Sequence, residues 1–139
     1  MVVLNRDASA VEILELVRKW VAALASDDYA EAYRMTAHDP YWQWTPELMR
    51  KTVAGCGLPE PCADGVIHRV TSPEAAKGER ARAAVTKYEE PRIDANGQIV
   101  GEVHFELPLD GDWSDLTARF EILVNEDGLN LVLNEIHVF

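Results

Sequence analysis

Apolar residues recur every three or four positions in the first quarter of the chain, which is typical of an amphipathic helix. The buried stripe predicted in this way consists of Ile13, Leu16, Val17, Trp20, Val21 and Leu24. Ser9 and Glu12 precede the stripe with the spacing of a capping box, in which each side chain satisfies a backbone N–H group of the first turn. The pattern therefore predicts a long helix that begins just after Ser9.

Two shorter helices are predicted behind the first one. Asp28 has the character of an N-cap for a helix that reaches Met35. Thr45 followed by Pro46 indicates the start of a third helix, because proline is favoured at the first helical position. We expect this third helix to stop at Gly55, with the glycine acting as a left-handed cap.

Beyond residue 65 the hydrophobic period changes to two, which indicates strands. The predicted elements are a short strand Val66–Val70, a longer strand Ala81–Glu89, a hairpin turn at Asn96-Gly97, alternating strands at 98–107 and 115–124, a turn at Asp127-Gly128 and a last strand from Leu129. Within the strand after the hairpin, Ile99 is expected on the same apolar side as Val103. The alternation slips between Leu133 and Ile136, which predicts a β-bulge.

Three helices followed by an antiparallel meander, apolar on one face of every strand, predict an α+β fold. We expect the helices to pack on one side of a strongly curved antiparallel sheet. A length of 139 residues fits a single domain, 1–139.

This order of elements resembles the NTF2-like superfamily, whose cystatin-like fold is cone-shaped. The resemblance rests on the capped helix from Ser9, the helix 28–35, the Thr45-Pro46 helix and the meander that ends at 136–138. The stretches 113–117 and 134–138 are also similar to those of a group of small bacterial proteins of unknown function. The superfamily includes ketosteroid-isomerase-like and polyketide-cyclase-like enzymes as well as non-catalytic pocket and dimer modules, so the resemblance implies a fold and leaves the function open.

Acidic residues outnumber basic ones and are concentrated toward the C-terminus. The chain has 24 acidic and 13 basic residues, which gives a net charge of −11. From Asp94 to Phe139 there are ten acids and one base, Arg119. Because this charge repels phosphate groups, we expect neither a nucleic acid nor a membrane as partner, whereas a basic protein remains open. The N-terminal residues lack a signal-peptide pattern, and we expect a cytoplasmic protein.

The two cysteines, Cys56 and Cys62, are separated by five residues. This spacing matches neither a redox Cys-x-x-Cys motif nor a paired zinc knuckle. We expect two reduced thiols in a loop, with a local disulfide as the alternative. No metal and no cofactor are expected.

An aromatic loop after the second helix is the candidate pocket. In NTF2-like folds the cavity lies between the helices and the sheet, where this loop can form the mouth. The expected pocket residues are Trp20, Tyr33, His38, Tyr41, Trp42 and Trp44. His38 is the candidate general base, with Asp39 as the carboxylate that orients it or as the base itself. The alternative is that the tryptophans seal the core and that His38-Asp39-Pro40 is a turn.

The polar side of the predicted hairpin is a second cluster, made of Glu102, His104, Glu106, Thr117, Arg119 and Glu121. Successive residues on one face of a strand are roughly 7 Å apart, which is too far for a compact metal site. We therefore interpret these residues as solvated cross-strand pairs. In many NTF2-like proteins this face forms the dimer interface, so the resemblance implies a homodimer through the sheet.

Two functions are compatible with these patterns. The first is a non-enzymatic binding module that offers a pocket to a small hydrophobic ligand or an acidic surface to a basic protein, as immunity proteins do against basic toxins. The alternative is an enzyme, similar to ketosteroid isomerases or polyketide cyclases, that acts on a hydrophobic small molecule with His38 or Asp39 as base.

Overall fold

The computed structural model describes residues 1–78 and 83–139 and shows an α+β architecture. The elements are α1 (Ala10–Ala25), α2 (Tyr29–Met35), β1 (Ala37–His38), α3 (Pro46–Ala54), a 3₁₀ turn (Pro73–Ala75), β2 (Ala83–Asp94), β3 (Gly97–Leu109), β4 (Asp112–Asn125) and β5 (Gly128–Val138). The first two residues of the predicted strand Ala81–Glu89 lie outside the described residues. Within the described part of the chain, no helix has the length and apolar character needed to cross a membrane.

The three predicted helices are confirmed, and side chains cap their N-termini. The hydroxyl of Ser9 accepts a hydrogen bond from the backbone N–H of Glu12, whose carboxylate accepts one from the backbone N–H of Ser9. Asp28 caps α2 and Thr45 caps α3 through the same three-residue spacing. All six residues of the predicted stripe on α1 are buried.

The five strands form one sheet in the order β1-β5-β4-β3-β2. Strands β2 to β5 are the predicted antiparallel meander, and β2 turns into β3 beside Asn96 and Gly97. The prediction of a purely antiparallel sheet is wrong, because β1 pairs with β5 in parallel. His38, predicted to lie in a loop, is paired with Leu133. A strand of two residues is too short to produce a periodic pattern.

One side of the sheet packs against the helices, and we call it the inner face. It carries the apolar residues Val103, Phe105, Leu107, Leu116, Ala118, Phe120, Ile122, Leu131 and Leu133, all at most 2% exposed. We call the opposite side the outer face. The bulge predicted from the phase slip is confirmed at Asn134, since Arg119 pairs with Glu135 whereas Phe120 pairs with Leu133.

A second bulge corrects the predicted position of Ile99. Ile99 pairs with Leu123 and Gly101 with Ile122, so Val100 is an extra residue in β3. Val100 packs against the core, and Ile99 belongs to the outer face, not to the side of Val103.

Two further local predictions are wrong. Residues 66–69 form no strand, and only Val70 makes an isolated bridge, to Leu109. Gly55 has a φ of −90°, and the left-handed residue is Cys56 with a φ of 50°. Glycine is nevertheless required at position 55, because a Cβ there would collide with the backbone carbonyl oxygen of Leu58.

Candidate functional site on the outer sheet face

Trp20 and Trp44, two of the predicted pocket residues, are parts of the core. Trp20 is 1% exposed and its ring lies edge-on to Phe120, with centroids 5.0 Å apart. Trp44 is 5% exposed, and its Nε1 donates a hydrogen bond of 3.1 Å to the backbone oxygen of Asn134. Both indoles therefore fill space between elements.

Tyr33 and His38 are brought together, with rings stacked 3.9 Å apart. Nε2 of His38 also donates a 2.8 Å hydrogen bond to the backbone oxygen of Tyr33. Burial lowers the pKa of His38, and the bond to the Tyr33 backbone acts in the opposite direction. His38 is therefore held mainly by Tyr33.

The carboxylate of Asp39 has two partners of its own. It accepts hydrogen bonds from the backbone N–H of Tyr41, at 2.9 Å, and from Nδ2 of Asn134, at 2.8 Å. Asp39 thus ties the loop after β1 to the bulge of β5, and it belongs to the polar network of the outer face.

Tyr41 and Trp42 are exposed, at 81% and 42%. Their rings meet edge to face at 5.2 Å, and Trp42 stacks on Trp44 at 6.2 Å. A small cavity of about 60 Å³ lies beneath Trp42, lined also by Leu48, Pro59 and Ile136. The six predicted pocket residues therefore divide into three groups: the core tryptophan Trp20, the Tyr33–His38 stack, and an aromatic ladder in which the exposed Tyr41 and Trp42 lie on the core residue Trp44. They do not line one common cavity among the described residues.

Arg119 is the centre of a polar network on the outer face. Its guanidinium donates hydrogen bonds to Glu102, at 2.7 and 3.3 Å, and to Oδ1 of Asn134, at 3.0 Å. Glu135 lies 3.8 Å from the same guanidinium, and the hydroxyl of Tyr88 donates to Glu102 at 3.0 Å. The hydrogen bonds from Arg119 lower the pKa of Glu102 below its ordinary value.

Glu121 extends the network toward β2 and β1. Its side chain is 8% exposed and accepts a hydrogen bond of 2.5 Å from Arg92. Its other oxygen lies 3.3 Å from Nδ2 of Asn134, the same nitrogen that Asp39 binds. Asp39 and Glu121 are therefore neighbouring carboxylates that share one amide donor.

The interpretation of this face as solvated pairs is wrong for two of its residues. Glu121 and Thr117 are buried, at 6% and 7% exposure. Glu121 is hydrogen-bonded to Arg92 and Asn134, and the hydroxyl of Thr117 donates a hydrogen bond to the backbone oxygen of Asp115. His104 Nε2 lies 3.3 Å from Glu102, although the two groups are not aligned for a hydrogen bond. Sequence reasoning singled out these strand residues but missed Tyr88, Arg92 and Asn134. Asn134 could have been found, since it occupies the predicted bulge.

Comparisons with models of protein families, with curated proteins and with solved structures found no match. The function of the outer face therefore has to be inferred from its own residues. Two open cavities lie on it. One, of about 380 Å³, is lined by Glu102, His104, Glu106 and Phe139 among others. The other, of about 460 Å³, lies beside Asp39, Arg92 and Glu121.

Metal-binding chemistry is not indicated in the part of the chain that the structure describes. Over residues 1–78 and 83–139, no three His, Cys, Asp or Glu side chains form a group that could hold a metal ion. Cys56 and Cys62 are free thiols, and burial raises the pKa of the Cys56 thiol above its ordinary value.

Proposed function

We propose that this chain is a non-enzymatic binding module of NTF2-like architecture, and that its acidic outer sheet face binds a basic protein partner. In its most concrete form, the partner is a basic toxin that the module neutralises, as immunity proteins do. The observation that carries the proposal is the excess of carboxylates in the partly buried network of the outer face.

The charges on this face support a cationic partner. The network contains four carboxylates, from Asp39, Glu102, Glu121 and Glu135, and two guanidinium groups, from Arg92 and Arg119. Three of these carboxylates and Arg119 belong to the segment 94–139, which contains seven further acids and no further base. A surface of one sign steers oppositely charged partners toward it and repels those of like charge.

The inner face is filled with apolar side chains, which favours a function at the protein surface rather than in an interior pocket. The space between α1 and the sheet holds Val17, Trp20, Phe120 and Leu131, which are all at most 1% exposed. An enzyme acting on a hydrophobic small molecule needs a concave site that encloses most of the substrate. The packing around Trp20 lends no support to such a site.

Nuclear magnetic resonance can test the proposal with an octa-arginine peptide as a model cation. We expect shifted backbone amides on β3, β4 and β5, and little change on α1 to α3. Octa-glutamate should produce no such shifts. Affinity should fall when salt is raised, because the charges on this face are partly exposed.

Two matched variants sharpen this titration. Glu135→Gln removes a carboxylate from the outer face, and we expect octa-arginine to bind about two- to threefold more weakly. Glu15→Gln removes an exposed carboxylate from α1 and should change the affinity little. Shifts that spread evenly over the surface, or equal effects of the two variants, would contradict the proposal.

A second copy of the chain is the competing occupant of the same face, as the resemblance to NTF2-like dimers implies. Light scattering at micromolar concentration distinguishes the two. We expect a monomer if the face is kept for a different protein, since the net charge of −11 opposes self-association. A stable dimer that blocks the octa-arginine shifts would replace the proposed partner with a second copy.

A further inference from the structure

One cleft on the outer face combines acidic groups with apolar residues and an unpaired buried donor, and we call it the outer cleft. It has a volume of about 460 Å³, within the range of ligand-binding sites. Its polar lining residues include Asp39, Arg92, Asp94, Glu121 and Asn130, and its apolar ones include Ile99, Leu123 and Val132.

Asn130 supplies the observation that indicates a ligand. It is 2% exposed, and its Nδ2 has no hydrogen-bond partner among the described residues. Asn130 pairs with Leu123 across β5 and β4, and both residues line the outer cleft. A buried donor without an acceptor destabilises the protein, so an acceptor oxygen on a ligand would remove an existing penalty.

The apolar residues of the outer cleft arise from the bulge at Val100. Without that extra residue Ile99 would face the helices, whereas here it faces outward beside Leu123. Ile99 and Leu123 are 2% and 6% exposed, and they lie next to charged groups. A long side chain with an apolar stem and a charged end matches this combination.

The charges of the outer cleft favour a cation. Three carboxylates, from Asp39, Asp94 and Glu121, line it, and they outnumber the guanidinium of Arg92 and the N-terminal residue Met1 on the opposite side of the charge balance. His38 also lines the outer cleft. Arg92 already binds one oxygen of Glu121, which shows that this carboxylate accepts a guanidinium. The carboxylates of Asp39 and Glu121 both contact Nδ2 of Asn134, so a planar group with several donors can reach the two together.

We infer that the outer cleft takes an arginine side chain of the basic partner, an inference that rests on the proposed function. The guanidinium interacts with Asp39 and Glu121, and the methylene groups lie on Ile99 and Leu123. A backbone carbonyl of the partner accepts the hydrogen bond from Nδ2 of Asn130.

A short peptide tests this inference directly. The probe is acetyl-Gly-Arg-Gly-amide, and its matched control replaces arginine with citrulline, which has nearly the same shape without the charge. We expect the arginine peptide to shift the side-chain amide resonances of Asn130 and the backbone amide of Val132. The citrulline peptide should bind at least about fivefold more weakly, since charge-assisted hydrogen bonds are the stronger ones. Equal affinities for the two peptides would overturn the inference.

A variant then tests the role of the unpaired donor. Asn130→Leu keeps the branched arrangement of side-chain heavy atoms and removes the donor, and we expect the arginine peptide to bind about fivefold more weakly. Removal of the unsatisfied polar group offsets the cost of the larger leucine side chain, so the thermal midpoint should change by only a few degrees. Asn5→Leu, at an exposed position, is the matched control and should leave the affinity unchanged. If Asn130→Leu does not fold, the shift of the Asn130 resonances in the unsubstituted protein still decides whether the arginine peptide binds at Asn130.

Octa-arginine separates this inference from the proposed function. If octa-arginine shifts the outer face equally in the unsubstituted protein and in Asn130→Leu, the inference about the outer cleft is wrong and the proposed function stands. If octa-arginine leaves the outer face unchanged, the proposed function is wrong and the inference is lost with it. Shifts that are smaller in Asn130→Leu than in the unsubstituted protein support both the inference and the proposed function.

Discussion

The two faces of the sheet are built from the same strands and are buried by different means. Phe120 is wholly buried on the inner face and contacts Trp20 of α1, whereas its neighbour Glu121 is 6% exposed on the outer face and is hydrogen-bonded to Arg92 and Asn134. Burial alone therefore does not distinguish a packed core from a polar network. The partners that cover a residue decide whether it contributes hydrophobic free energy or directional contacts.

The energetics of the two faces differ accordingly. Each large apolar side chain buried on the inner face stabilises the fold by about 1.5–3 kcal/mol. On the outer face, Coulombic attraction is largely offset by the cost of removing charges from water. Such a network adds little net stability, but it is costly to break, because the remaining partner is left buried and unpaired.

The largest expected effect belongs to the inner face. Trp20→Ala should lower the free energy of unfolding by about 3–5 kcal/mol, because it leaves a cavity against Phe120. Trp42→Ala is the matched control, since Trp42 is 42% exposed, and should cost less than about 1.5 kcal/mol. Urea unfolding measures both. Similar losses for the two variants would mean that Trp42 contributes as much to the core as Trp20.

An intermediate effect is expected when the outer network is broken at its centre. Arg119→Met should lower the free energy of unfolding by about 2–3 kcal/mol, since Glu102 and Asn134 lose their shared donor. Arg34→Met removes the exposed pair with Glu31 and should cost at most about 0.5 kcal/mol. If both arginine variants unfold at the same urea concentration, the outer network has no more effect than a surface ion pair.

The smallest expected effect is a dependence on pH. Because Arg119 lowers the pKa of folded Glu102, this carboxylate contributes its full stabilisation above the ordinary carboxyl pKa of about 4.3. The contribution is lost as the pH falls through the lower folded value. The difference in unfolding free energy between the unsubstituted protein and Glu102→Gln should therefore shrink from pH 6 to pH 3. A difference that stays constant over this range would show that the ionised form of Glu102 is not favoured by folding.

Local patterns predicted the helices well. The caps at Ser9, Asp28 and Thr45 and the stripe on α1 depend on residues a few positions apart, so a sequence can show them. The bulge at Asn134 was also predictable, because a phase slip is a local signal. The bulge at Val100 was not, since Ile99 continues the alternation of its strand.

The candidate site was only partly predictable. Glu102, Arg119 and Glu121 could be placed on one face from their alternation. Their partners Asp39 and Arg92 come from elements whose positions depend on the register and order of the strands. The prediction of a strand at 66–70 was wrong for the same reason. A strand must pair with the edge of a neighbouring strand, and among these residues only Val70 does so, with Leu109.

The parallel pairing of β1 with β5 has a consequence for the order of folding. The meander strands are consecutive in the chain and joined by short turns, so they can pair with little loss of loop entropy. Asp39 and Asn134, by contrast, are 95 positions apart. Closing this loop is slow, and we expect β1 to join the sheet after the meander has formed. Trp44, whose indole binds the backbone of Asn134, is then positioned to report this last step as a late change in fluorescence during refolding.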